Sequence, residues 1–166
     1  LLIKQADAQG PLQQCVRANL PAPWRVELVD ADDAQAFAHG LHDADAIISM
    51  NWSSAPPAPK LKLLHLPGAG WDAIDFAAVP PTASVCNAYG HEISIAEYVM
   101  ASMLEITLGL RQMDAALRRN HWAGWWRVGP LHDYVHGKTV GIVGYGRIGR
   151  EVARRARAFG MNVIAC

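Results

Sequence analysis

The sequence predicts an α/β chain built on parallel β-sheet. Two observations carry this prediction. Short apolar runs alternate with helix-like stretches through residues 1–90, and residues 138–166 read as strand, glycine turn, helix and strand. The composition agrees: of 166 residues, 51% are hydrophobic and 18% charged, which excludes a disordered charged tail or a low-complexity chain.

Each element follows from its own pattern. Leu1-Leu-Ile is a strand, and Leu12, Cys15, Val16 and Leu20 follow at helical spacing. Arg25–Val29 is a second strand; Ala31–His39 is an Ala-rich helix capped by Asp30 or Asp32. Asp45–Met50 is a third strand, and Ala55–Pro59 is a stiff, proline-rich connection. Leu61–Leu66 is a fourth strand ending in a glycine turn, and Ser84-Val-Cys86 is a fifth. Ser94-x-x-Glu97 reads as a capping box opening the strongest helix of the chain. Along it Ile95, Val99, Met103, Ile106, Leu110, Met113 and Leu117 form one stripe, and Met100, Leu104 and Leu108 another, so it is expected to pack against more than one neighbour. Residues 119–137 are irregular and aromatic. Lys138–Val143 and Asn162–Cys166 are strands flanking a turn and helix over Tyr145–Phe159, with Ile148, Val152, Ala156 and Phe159 facing inward.

The net charge is zero but unevenly placed. Residues 1–90 hold five basic and nine acidic groups, and residues 91–166 hold ten and six. Such asymmetry fits a two-lobed protein whose basic lobe handles an anionic small molecule, and a nucleic-acid-binding half is the less economical reading. Cys15, Cys86 and Cys166 are scattered and odd in number, which fits a reducing, cytoplasmic setting rather than a disulfide framework. No uncharged apolar run reaches the ~18 residues of a membrane span. His132-x-x-x-His136 has the spacing of two metal ligands on a helix, but glycine and proline crowd it and no third ligand is evident, so no metal site is expected. The chain starts at Leu1 and stops inside the run Asn162–Cys166, which suggests a piece of a longer protein.

The chemistry is carried by Gly144-Tyr-Gly-Arg-Ile-Gly149. A GxGxxG run is weak alone, but here a strand precedes it and a helix and strand follow, completing a βαβ unit of about 30 residues. Gly144 permits the tight turn out of the strand. Gly146 lets the backbone approach a pyrophosphate, and Gly149 lets the helix pack close to the strand. Amides near Arg147 and Ile148 would point at the phosphates, helped by the helix dipole. An acidic or basic residue reading the ribose is expected about 20 positions on, so NAD and NADP both remain open as the cofactor.

At this point Lys138–Ala153 closely resembles the cofactor signature of the D-isomer-specific 2-hydroxyacid dehydrogenases. Two more segments resemble that family: Leu66-Pro-Gly-Ala-Gly-Trp-Asp-Ala-Ile-Asp75, a glycine turn followed by Asp-x-x-Asp, and Val85-Cys-Asn-Ala-Tyr-Gly continuing to Ile95-Ala-Glu97. The resemblance implies a flavodoxin-like substrate lobe over residues 1–90 and the start of a Rossmann NAD(P)-binding lobe over 91–166, joined by a long interdomain helix. It implies hydride transfer between NAD(P)H and a 2-keto or D-2-hydroxy acid, as in glyoxylate/hydroxypyruvate reductases. Gly144, Tyr145, Gly146, Arg147, Ile148 and Gly149 would bind the cofactor. Amides of Ala69 and Gly70 would hold the substrate carboxylate; an ordinary strand-to-helix turn is the alternative. Trp71 departs from the smaller residues common at its place and would narrow or line the pocket. His91 has two readings, contact with substrate or nicotinamide and a local hydrogen bond at the helix start.

The family's catalytic arginine, carboxylate and histidine lie downstream of the glycine motif, so the resemblance assigns none of them here and the 166-residue chain alone is expected to be inactive. It further implies a homodimer through the long helix and the Trp122–Trp126 region, with neither nucleic acid nor membrane as partner. A dinucleotide-sensing, corepressor-like regulator on the same scaffold is the alternative function, and a different Rossmann enzyme a third.

Overall fold

The computed structural model describes the chain except residues 6–10, 22–23, 31, 54–55 and 123–131, and for residues 2, 4, 5 and 11–13 it describes the backbone alone. Trp125, Trp126, Arg127, Gly129 and Pro130, as well as Ala31, Ala55 and the Leu12 side chain, therefore lie outside the described residues. The chain divides into two units, Leu1–Tyr89 and Gly90–Cys166.

The first unit is a five-stranded, all-parallel sheet. Its strands are β1 (Leu2–Gln5), β2 (Glu27–Asp30), β3 (Ala46–Ile48), β4 (Leu63–His65) and β5 (Ser84–Cys86), in spatial order β2-β1-β3-β4-β5. That is the doubly wound order in which ligands bind beyond the carboxyl ends of the strands. The central β3 is buried at every position, so Ala46, Ile47 and Ile48 form a continuous apolar run rather than an alternating one. Helices α1 (Pro11–Asn19) and α2 (Ala34–Asp43) cross between strands. Phe37 and Leu41 of α2 join Val29, Ile47, Trp52, Leu64, Leu66 and Ile74 in one core. Trp52 enters this core because its indole N–H has a partner, the Ala78 carbonyl at 3.0 Å.

Helix α2 starts later than its sequence pattern suggests. Its cap is Asp33, which accepts from the Ala36 amide at 2.9 Å, whereas Asp30 is occupied by the Asp32 amide. The strands are also shorter at their ends than the apolar runs, because a strand stops where its neighbour stops pairing.

The second unit holds α3 (Glu92–Leu108), α4 (Leu110–Leu117), β6 (Thr139–Ile142), α5 (Arg147–Ala158) and β7 (Asn162–Ala165). Strands β6 and β7 pair in parallel from Thr139↔Asn162 to Ile142↔Ala165, with α5 crossing between them. Three expectations need correction here. The long helix is two helices bent by 61°, because Gly109 takes a left-handed conformation at φ 68°. No single helix is long and apolar enough to cross a membrane.

The capping box is not formed. Helix α3 begins at Glu92, whose carboxylate accepts from the Gly90 amide at 2.7 Å. Ser94 instead donates to the His91 carbonyl at 2.9 Å, and Glu97 lies 3.6 Å from Arg155 of α5. Within this unit α3 packs through one face. Ala96 and Met100 are buried and Met103 and Leu104 are half-buried against a cluster containing Val135, Ala156 and Met161, while Ile106 is 84% exposed. On α5 the buried stripe is Gly149, Val152, Ala153 and Ala156; Ile148 and Phe159 are exposed.

Candidate functional site

The glycine loop joins β6 to α5. Strand β6 ends at Ile142, and Val143 opens the loop with its side chain exposed. Gly144 turns the chain at φ 90°, and its amide donates to the Cys166 carbonyl at 2.9 Å, tying the loop to the end of β7. At Gly149 a Cβ would stand 2.3 Å from the Gly144 carbonyl oxygen, so only glycine lets α5 begin this close to the strand. Gly146 is different. It caps α5 in an extended conformation, and a Cβ placed there meets no protein atom within 4 Å. Among the described residues none outside its chain neighbours crowds this position, which leaves open space over the helix terminus.

No side chain caps α5. The first turn therefore presents its backbone amides beside Tyr145, Arg147 and Ile148, where the helix dipole favours an anion. The Arg147 guanidinium is mostly exposed and lies 3.7 Å from Glu92. Glu92 is held below the ordinary glutamate range first by its own backbone amide, then by that of Gly90, with the charges of Arg147 and His91 adding to the effect. The structure thus brings the glycine loop and the start of α3, where His91 stands, into one neighbourhood. His91 caps α3 through its backbone only, its carbonyl accepting from Ser94 and from the Ile95 amide.

The sequence reading overlooked the acid–base lattice behind this loop. Glu151 is paired with Arg154 at 2.7 Å and with Arg155, and Arg155 reaches on to Glu97, so α3 and α5 are joined by charge as well as by packing. The signal was available in Glu151-x-x-Arg154-Arg155, a pair of i,i+3 and i,i+4 partners. His132 and His136 stand outside any helix, and the described residues hold no cluster of three or more potential metal ligands.

Ala69 and Gly70 belong to the first unit, in the turn after β4 at the carboxyl end of the sheet. Asn87, just past β5, clamps this turn: its amide donates to the Ala69 carbonyl at 3.0 Å, and the Ala88 amide donates to the Gly68 carbonyl at 3.1 Å. With the carbonyls turned toward β5, the loop is held by its acceptors, as a turn offering its amides outward would be. Asn87 was not singled out from sequence, since one asparagine after a strand has no distinctive spacing. Next to the turn lies a hollow of about 480 Å³ lined by Leu66, Trp71, Phe76, Val85 and Asn87. Trp71 and Phe76 meet edge to face at 6.0 Å, and both are largely exposed. A larger hollow, about 640 Å³, lies among Leu1, Arg25, Asp45 and Lys62 at the amino ends of the strands, away from the end where this fold binds ligands.

Comparison with known proteins adds to this geometry. Residues 100–166 match the family model described as D-isomer specific 2-hydroxyacid dehydrogenase, NAD binding domain. D-3-phosphoglycerate dehydrogenase of Methanocaldococcus jannaschii is 33% identical over 161 residues, 93% of this chain and 30% of that protein. The enzyme of the same name from Mycobacterium leprae is 35% identical over 161 residues, again 93% and 30% of the two chains. Among solved structures, a 2-hydroxyacid dehydrogenase from Ketogulonicigenium vulgare is similar at 28% identity and a TM-score of 0.77, over 99% of this chain and 53% of that one. The chain spans about a third of the length of these two curated relatives.

Proposed function

Because the chain belongs to the D-isomer-specific 2-hydroxyacid dehydrogenase family, we propose that it forms the substrate lobe and the first part of the NAD(P)-binding lobe of an oxidoreductase acting on 2-keto and D-2-hydroxy acids. The single observation carrying this reading is the glycine loop: a bare, uncapped helix terminus with open space over Gly146 and a glycine-only contact at Gly149. These features suit the pyrophosphate of a dinucleotide, held by amides of the first turn of α5 and flanked by Tyr145 and Arg147. A bound nicotinamide dinucleotide supplies or accepts the hydride at the C2 carbon of the acid.

The chain's own residues bind and orient. In this reading residues 1–90 form the substrate lobe and residues 91–166 enter the cofactor lobe. The amides of Ala69 and Gly70 receive the substrate carboxylate, with Asn87 fixing the turn; His91, at the start of α3, is a candidate contact for substrate or nicotinamide. Glyoxylate and hydroxypyruvate are the substrates proposed first. The exposed Tyr98, Ile106, Leu110, Leu117 and Trp122 on and after α3 and α4 support a homodimer through this region; sedimentation of the intact protein is expected to give twice the chain mass.

The test of function is direct. The intact protein carrying residues 1–166 should bind NADH or NADPH and oxidise it in the presence of a 2-keto acid. Dinucleotide binding without turnover of any 2-keto acid would favour a dinucleotide-sensing regulator, and absence of binding would overturn the reading altogether.

A further inference from the structure

The glycine loop is flanked by an ion pair whose two members are held very differently. Arg147 is the first residue of α5, and its side chain is 61% exposed. Glu92 opens α3, and its side chain is 16% exposed. One carboxylate oxygen, Oε2, accepts from the Gly90 amide at 2.7 Å, so the side chain is folded back on its own turn. The other, Oε1, stands 3.7 Å from the Arg147 guanidinium. Glu92 is therefore a fixed anion, and Arg147 is a long, solvated side chain drawn toward it.

Joining α3 to α5 is the work of other groups: Met100 and Ala156 share one core, and Glu97 pairs with Arg155. An ion pair with one member so exposed adds little to folding, so stability is a weak reason for Glu92 to meet Arg147. Ligand binding is a stronger one. A guanidinium carries five N–H donors, more than one carboxylate oxygen can take, and its planar fork suits a phosphate. A ligand that must itself order a long side chain loses affinity in doing so, and a counter-ion that orders it beforehand removes part of that loss.

Resting on the dinucleotide reading above, we infer that Glu92 is a positioning residue for the cofactor: it holds the Arg147 guanidinium beside the first turn of α5, where the pyrophosphate would lie, and so raises dinucleotide affinity without touching the ligand. Taken alone, the negative charge of Glu92 opposes a pyrophosphate. That charge is offset where it stands, by the Gly90 amide and by the amino end of α3, which leaves the ordering of Arg147 as the larger effect.

Equilibrium titration of the intact protein with NADH and NADPH, read by nicotinamide fluorescence, tests this in a double-mutant cycle. Glu92→Gln keeps an acceptor for the Gly90 amide and removes the charge. It is expected to weaken the preferred dinucleotide roughly three- to tenfold, the effect of ordering one long side chain. Arg147→Ala should weaken it by at least as much. Adding Glu92→Gln to Arg147→Ala should then change affinity by less than about twofold, because the carboxylate has nothing left to hold. Glu92→Asp restores the carboxylate and should bring back most of the affinity. Unchanged or tighter binding by Glu92→Gln, an equal loss from it in the Arg147→Ala background, or a Glu92→Asp protein that binds no better than Glu92→Gln would each overturn the inference. All three results leave the proposed function standing, whereas absence of dinucleotide binding by the unaltered protein overturns both.

Discussion

At the scale of single residues, the three glycines of the loop separate into different physical tasks, and the separation is testable. Gly149→Ala drives a methyl group into the Gly144 carbonyl at 2.3 Å, a contact with backbone that cannot swing away. The expected cost is roughly 3 kcal/mol of stability in the second unit, read from chemical denaturation. Gly160 shows the same logic outside the loop. It turns the chain at φ 73° with the His136 ring stacked where a Cβ would stand, so Gly160→Ala should also destabilise. The GxGxxG run was legible in sequence because its spacing and its flanking strand and helix are local. The roles of Asn87 and Glu92 were not legible. Each acts through a hydrogen bond to a backbone atom whose position depends on how the chain turns, at Ala69 and at Gly90.

At the scale of elements, the same competition explains where the reading of α3 failed. Ser94-x-x-Glu97 satisfies a local rule, but Glu92 reaches the Gly90 amide first and Arg155 of α5 draws Glu97 toward another helix. Tertiary partners outbid a pattern worth about 1 kcal/mol. The break at Gly109 was hidden for a related reason. A lone glycine inside an apolar stripe fits either a continuous helix or a left-handed turn, and the spacing of Ile95 to Leu117 cannot distinguish them. Gly109→Ala at φ 68° is therefore expected to cost about 1–2 kcal/mol rather than stabilise a helix.

The α3–α5 lattice also predicts an acid response. Glu151 is held below the ordinary glutamate range by Arg154 first and then by Arg155. As pH falls, the unfolded chain takes up this proton before the folded one does. The stabilisation is therefore complete above the ordinary glutamate pKa and is lost progressively as pH falls through the lowered folded value. Glu151→Gln should flatten that acid limb in thermal melts while changing little in how stability varies between pH 6 and 8.

At the scale of the whole molecule, the α/β class and the parallel order of five strands follow from features the sequence displays openly: strand–helix alternation and a β3 apolar at every position. Truncating its central residue, Ile47→Ala, should cost about 2–5 kcal/mol because the site is fully buried and cannot refill with water. The family is legible for the same reason, since its glycine loops sit at the carboxyl ends of strands where spacing is rigid. The substrate is not legible from motifs. Nor do motifs announce that Arg25, Lys60 and Lys62 are paired with acidic partners about the amino ends of the strands and the end of α2, which only the folded sheet reveals.

The central claim is that the open space over Gly146 belongs to a dinucleotide. Its most direct test is the dissociation constant of NADH and NADPH for the intact protein and for Gly146→Ala, measured beside the denaturation midpoint of each. A Cβ at this position touches no protein atom, so the account predicts an unchanged midpoint together with a loss of affinity of tenfold or more for the preferred dinucleotide. Unchanged affinity in a stably folded Gly146→Ala protein would contradict it.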